Sequence, residues 1–245
     1  MQISAKTWNE YITRLSRLNQ KAGQLMRDYI DAHGTADTDG LVAYAYGLVT
    51  KYSEGSAELA CQMYEALAEA QGVYVPAAEP AETASYSEVA RMVSATKDQN
   101  PANLPNGVSR LVKRAGADTT LKNAIRDGAE WAWVPHGDTC PFCITLASNG
   151  WQKASQKLLK GGHAEHIHAN CDCEFAVRFR SGLFVSGLEG LQCFQFHLVD
   201  EHLARAASVG RAHDALFFQL VHYTSSSRVS DLQATLKVAR GAQIA

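Results

Sequence analysis

Near the middle of the chain four cysteines stand in two tight pairs, Cys140-Pro141-Phe142-Cys143 and Cys171-Asp172-Cys173, and His163, His166 and His168 lie between them. Thiolate and imidazole are the ligands zinc prefers, and close pairs let two ligands reach one ion from a single turn of chain. The gap between Cys140 and Cys143 is that of a zinc knuckle. Cys171 and Cys173 are one residue apart, which in extended backbone puts both side chains on one face. His168, three positions before Cys171, is close enough to replace either. Any four of Cys140, Cys143, His168, Cys171 and Cys173 close a tetrahedron around a structural zinc and leave no position open for catalysis.

The same residues offer three other readings. Cys-Pro-Phe-Cys is the tetrad of a disulfide oxidoreductase, which needs a strand before it, a helix after it and a downstream proline. All six prolines fall at or before Pro141, so that proline is missing. His163-Ala164-Glu165 has the His-x-Glu form of zinc deaminases, but there the histidine precedes the cysteine pair, and here the order is reversed. The plainest reading makes a cysteine a small buried hydrophobe. It suits Cys61 and Cys193, which stand alone in apolar surroundings, and as solvated side chains it suits His33, His197, His202, His213 and His222. It does not account for four cysteines in two pairs. His136, His163 and His166 fit either a site or the surface.

Long helices must position this cluster. Trp8, Tyr11, Ile12, Leu15, Leu18, Leu25, Met26 and Tyr29 recur at three-to-four spacing, behind a capping box at Thr7-Trp8-Asn9-Glu10 and before a stop at Gly34. A second apolar stripe starts near Asp39 and ends at Gly72. Residues 1–72 therefore read as long N-terminal helices. Residues 73–132 read as an extended proline-bearing connector followed by shorter helices. One of these opens at Ser85-Tyr86-Ser87-Glu88, one covers Val108 to Arg114, and one runs from a cap at Asp118 or Thr119 through Trp131. Residues 133–180 form the Cys/His module, which is too short to bury a core alone and closes on a strand at Glu174–Phe179. Residues 181–245 form a tail with helical patterning around Val199–Ala207 and Ala212–His222. The fold class expected is mainly α, with a small zinc-stapled α+β module.

Composition narrows the function. The chain has 245 residues, 46% of them hydrophobic and 20% charged, with a net charge of −2. That balance gives no global basic field for nucleic acid. No stretch is apolar enough for a signal peptide or a membrane span, which points to a reducing compartment where clustered cysteines bind metal more often than they form disulfides. Arg110, Lys113, Arg114, Lys122 and Arg126 make a local basic stretch, readable as a contact for phosphates or an acidic partner and equally as a solvated helix face.

The run from Arg126 to Pro135, then Gly137-Asp138-Thr139-Cys140-Pro141-Phe142-Cys143, then Leu146-Ala147-Ser148-Asn149-Gly150-Trp151, and finally His168-Ala169-Asn170-Cys171-Asp172-Cys173 resembles tailed-phage minor capsid proteins of the MuF-like, head-morphogenesis type. The resemblance runs from the first helix to about Phe179; beyond that the chain departs from the family pattern. It implies a non-enzymatic virion component, assembled in the bacterial host cytoplasm and associated with portal and capsid proteins, with packaged DNA as a further partner and no membrane contact. It maps the metal positions onto Cys140, Cys143, His168, Cys171 and Cys173 and carries over no catalytic residue. Two rival expectations stand beside it: a thiol-disulfide or zinc-dependent enzyme using Cys140 and Cys143, and a zinc-dependent nucleic-acid-binding module.

Overall fold

The structure, a computed structural model, describes residues 3–137, 140–157, 159, 167, 169 and 171–179. His163, His166 and His168, Cys193 and the tail beyond residue 180 lie outside the described residues. The element order is α1 (Ala5–His33), α2 (Thr38–Ala70), α3 (Tyr86–Gln99), a 3-10 turn (Pro101–Asn103), α4 (Leu104–Arg126), β1 (Glu130–Val134), α5 (Pro141–Ala147), β2 (Gln152–Lys153) and β3 (Glu174–Arg178). The fold is mainly helical, with a small antiparallel sheet of order β2-β1-β3.

The two long stripes form α1 and α2 as expected. Gly34 and Gly72 end them at φ 72° and 69°, a region that glycine enters without a Cβ clash. The cap of α1 is Ser4 rather than Thr7. Ser4 accepts a hydrogen bond from the Thr7 amide at 3.0 Å, so the helix starts a turn earlier than the Thr-x-x-Glu pattern suggests. Ser85 caps α3 as read, accepting from the Glu88 amide. Helices α1, α2 and α4 pack on one another and α3 covers α2. Their core includes Met26, Leu41, Val49, Val89, Leu104 and Val112.

Two expectations about the middle of the chain are corrected. The helices expected at Val108–Arg114 and from Asp118 onward are one continuous α4. Asp118 does not cap; it faces Arg114 at 3.6 Å, one helical turn back. Gly116 does not break α4 but lets it approach α2, since a Cβ there would lie 2.8 Å from Ser56 Oγ. Nor does a helix run through Trp131. Gly128, at φ 67°, turns the chain after Arg126, and Glu130–Val134 is a strand. The period-2 placing of Trp131 and Trp133 fits that strand: both rings pack on Phe175 of β3, with centroids 4.6 and 4.4 Å from it. Pairing of Glu130 with Arg178 and of Trp133 with Phe175 fixes the register.

The connector between α2 and α3 is extended and strapped to α4 by side-chain bonds. Asn123 accepts from the Glu79 amide and donates to the Glu79 carbonyl, both at 2.9 Å, and Thr119 accepts from the Ala81 amide at 2.9 Å. Backbone groups with no ladder partner are thereby satisfied.

Candidate metal centre

The first cysteine pair is carried by α5. Cys140 is its N-cap, Pro141 takes the first helical position, where no amide is needed, and the Cys143 amide points at Cys140 Sγ at 3.5 Å. This turn buries Cys143 completely and leaves Cys140 half-buried. The second pair leads directly into β3, and both of its sulfurs are buried. The Sγ atoms of Cys140, Cys143 and Cys171 all lie within 4.8 Å of one another. Cys173 Sγ lies 3.3 Å from Cys143 Sγ and 3.4 Å from Cys171 Sγ.

None of these cysteines is in a disulfide, and the 3.3 and 3.4 Å sulfur separations are far beyond the roughly 2.05 Å of an S–S bond. Zinc–sulfur bonds of about 2.3 Å in a tetrahedron put neighbouring sulfurs about 3.8 Å apart. Cys173 stands a few tenths of an ångström closer than that to Cys143 and Cys171, and three sulfurs from two distant stretches of chain, those of Cys140, Cys143 and Cys171, group within 4.8 Å. His168 lies outside the described residues, so the described part of the ligand set is Cys140, Cys143, Cys171 and Cys173.

Without a cation these sulfurs compete for charge. Hydrogen bonding with Cys143 and Cys173 holds the Cys171 thiol far below its ordinary value. Hydrogen bonding to Cys171 and Cys173, then burial, pushes Cys143 far above. A divalent cation there would remove that competition, each thiol losing its proton to solvent as its sulfur became a ligand. The donor set fits a thiophilic metal that favours tetrahedral sulfur, with zinc first among them.

The chain matches the VG15 protein family over residues 2–189, more than half of its length. It belongs to that family. No curated protein and no solved structure matches it. The matched segment holds the five α-helices and the sheet of the described residues and both cysteine pairs, so the candidate metal centre lies within the family's extent.

In this VG15 protein the second cysteine pair is docked onto the helices by three side chains. Lys113, in the middle of α4, donates a hydrogen bond to the Cys171 carbonyl and stands 3.8 Å from Glu174, with both side chains about 95% buried. Ser16 of α1 donates to Asp172 Oδ1 at 2.5 Å. Burial pushes Glu174 up to about 7, against the opposing effect of Lys113. Burial also depresses Lys113, but Glu174, Cys173 and Cys171 together outweigh it, and the lysine sits above its ordinary value. Both values are thus raised: this keeps Lys113 an ammonium, whereas at Glu174 burial outweighs the lysine and favours the neutral carboxyl.

Neither Lys113 nor Glu174 was singled out from the sequence as part of the site. Lys113 reads there as one of five basic residues on a helix face. The sign that it is inside is its spacing: Ser109, Lys113, Gly116 and Thr120 make one buried stripe of α4, and all but the lysine are small. The rest of the basic stretch is largely engaged within the molecule. Arg114 holds Glu88 in a two-pronged bond, Lys122 pairs with Glu79 at 3.1 Å, and Arg126 bonds Asp127 and the Pro76 and Ala77 carbonyls. Arg110 is exposed.

The oxidoreductase reading gains one feature and loses another. A strand, β1, does precede Cys-Pro-Phe-Cys and a helix, α5, follows it, where a helix had been expected to lead in. Yet Cys143 is packed against the second pair rather than kept for Cys140 alone. The His163 and Glu165 of the deaminase reading lie outside the described residues.

Proposed function

We propose that this chain is a structural component of a tailed-phage particle, a minor head protein seated at the portal or the inner shell, whose Cys/His module is closed by one structural zinc. The grouping of the Cys140, Cys143 and Cys171 sulfurs within 4.8 Å of one another, with Cys173 Sγ against two of them, carries this reading, and membership of the VG15 family supports the viral, structural assignment. The ion is held by Cys140, Cys143, Cys171 and Cys173, with His168 as the fifth candidate from the sequence. When bound, zinc supplies cross-linking and no reaction. It ties the β1–α5 corner to the segment entering β3, a stretch with too little core of its own.

The described residues include no helix long and apolar enough to cross a membrane, in keeping with a role among portal and capsid proteins and packaged DNA. The experiment is a pull-down of portal and capsid proteins from infected-cell lysate, with the protein's presence in purified particles read by mass spectrometry. Copurification with portal and recovery from virions fit the reading; a protein confined to the soluble host fraction contradicts it.

A second reading, a thiol-disulfide enzyme, draws on the strand-tetrad-helix order of β1, Cys140–Cys143 and α5. It requires a Cys140–Cys143 disulfide that cycles reversibly in a glutathione titration. The structural reading instead has all four thiols becoming reactive together once a chelator removes the metal.

A further inference from the structure

Among the described residues Lys113 is the one buried cation, 4% exposed in the middle of α4. Glu174 is the obvious partner, but at 3.8 Å it is beyond hydrogen-bond reach. The ammonium instead donates to the carbonyl of Cys171, on the Cys-x-Cys segment itself. A divalent ion held by four thiolates carries a net charge of −2. Such a charge in a water-poor site needs a fixed counter-charge, as buried ions elsewhere need partners.

We propose that Lys113 is the counter-ion of the metal centre: its ammonium offsets part of the −2 charge of the tetrathiolate site, and its bond to the Cys171 carbonyl holds the Cys-x-Cys segment with both sulfurs turned to the ion. Lys113 is thus a positioning residue that acts through Cys171 and Cys173 and does not bind metal. This proposal rests on the metal reading above. It also gives α4 its part in the site, since the helix delivers the charge that a core-poor sulfur loop lacks. The competing account makes Lys113 the partner of Glu174 alone.

The two accounts separate in a metal-binding series on the full chain: wild type, Lys113→Met, Glu174→Gln and the double variant. Zinc affinity is measured against a competing chelator, and cobalt(II) is used as a spectroscopic probe. The counter-ion role predicts zinc binding weakened about 10- to 100-fold in Lys113→Met, the size usual for lost outer-sphere partners. It predicts wild-type or tighter binding in Glu174→Gln and binding still weakened in the double variant. The sulfur-to-cobalt charge-transfer band moves to lower energy wherever the lysine is gone. Restoration of wild-type affinity in the double variant overturns the proposal, as does a Glu174→Gln variant weakened as much as Lys113→Met. If Lys113→Met does not fold, Lys113→Gln takes its place in every arm of the series. A wild-type protein that binds no zinc removes the metal reading itself; a wild type that binds zinc and a Lys113→Met variant that binds it equally well remove only the role of the lysine.

Discussion

The sulfurs of Cys143 and Cys173, 30 residues apart in the chain, lie 3.3 Å apart in the structure. One arrives on the first turn of α5, the other on the extended segment entering β3. That meeting distinguishes a shared site from two unrelated cysteine pairs, and it sets the order of consequences below.

Replacing Cys143 by Ser removes a fully buried ligand, and replacing Cys61 by Ser removes a buried cysteine of α2 that is not among the grouped sulfurs. Cys143→Ser is expected to abolish metal binding and lower the melting temperature by many degrees, because structural zinc sites contribute on the order of 10 kcal/mol. Cys61→Ser is expected to cost about 1 kcal/mol of packing and keep the metal. Differential scanning calorimetry with and without chelator checks both: chelator lowers the melting temperature of wild type and of Cys61→Ser, but not that of Cys143→Ser.

Asp127, which closes α4, sets a pH dependence. Its carboxyl is held below the ordinary aspartate value, first by its hydrogen bond with Arg126 and then by that from Tyr64, against the effect of burial. A depressed carboxyl stabilises the fold fully above the ordinary aspartate range, about 4, and its contribution is lost as pH falls through the lower, folded-state value. Asp127→Asn is therefore expected to melt below wild type at pH 7, and the gap to close as the pH drops beneath 4. A gap that persists to pH 2 would contradict the assignment.

One side-chain amide, that of Asn123, supplies two bonds of the strap across α4. Asn123→Ala removes both bonds to Glu79 and is expected to destabilise the protein by about 1–3 kcal/mol in urea unfolding. Hydrogen exchange at the Glu79 amide should quicken. Lys122→Ala, which breaks an exposed pair with the same residue, should change stability by under about 1 kcal/mol.

Two glycines should respond in opposite directions. A Cβ at Gly23 would meet Ser109 Oγ at 2.5 Å and the Pro105 carbonyl oxygen at 3.3 Å, so Gly23→Ala forces α1 and α4 apart and should cost about 1–3 kcal/mol. Gly47 lies in α2 with nothing within 4 Å of its missing Cβ, so Gly47→Ala should stabilise by about 0.5–1 kcal/mol. Chemical denaturation of both variants reads the two signs.

What the sequence disclosed follows the physics of each element. The apolar stripes of α1 and α2, the positive-φ glycines after them and the Ser85 cap are local signals, and all appear in the structure. The two boundaries that differ were decided at a distance. Asp118 looks like a cap until Arg114 occupies it, and Trp131 looks helical until β3 pairs with it. In the site, residue types and spacing showed the cysteines because ligand chemistry is local to each pair. The roles of Lys113, Ser16 and Glu174 depend on how α1 and α4 pack against the Cys-x-Cys segment, and no spacing along the chain records that contact.

The most direct test of the account is metal content. Full-length protein, purified without chelator, is to be weighed intact by native mass spectrometry and assayed for elemental zinc. The account predicts one zinc per chain, lost together with the fold of the cysteine module in Cys143→Ser. A metal-free chain that melts at the same temperature with or without added zinc would contradict it.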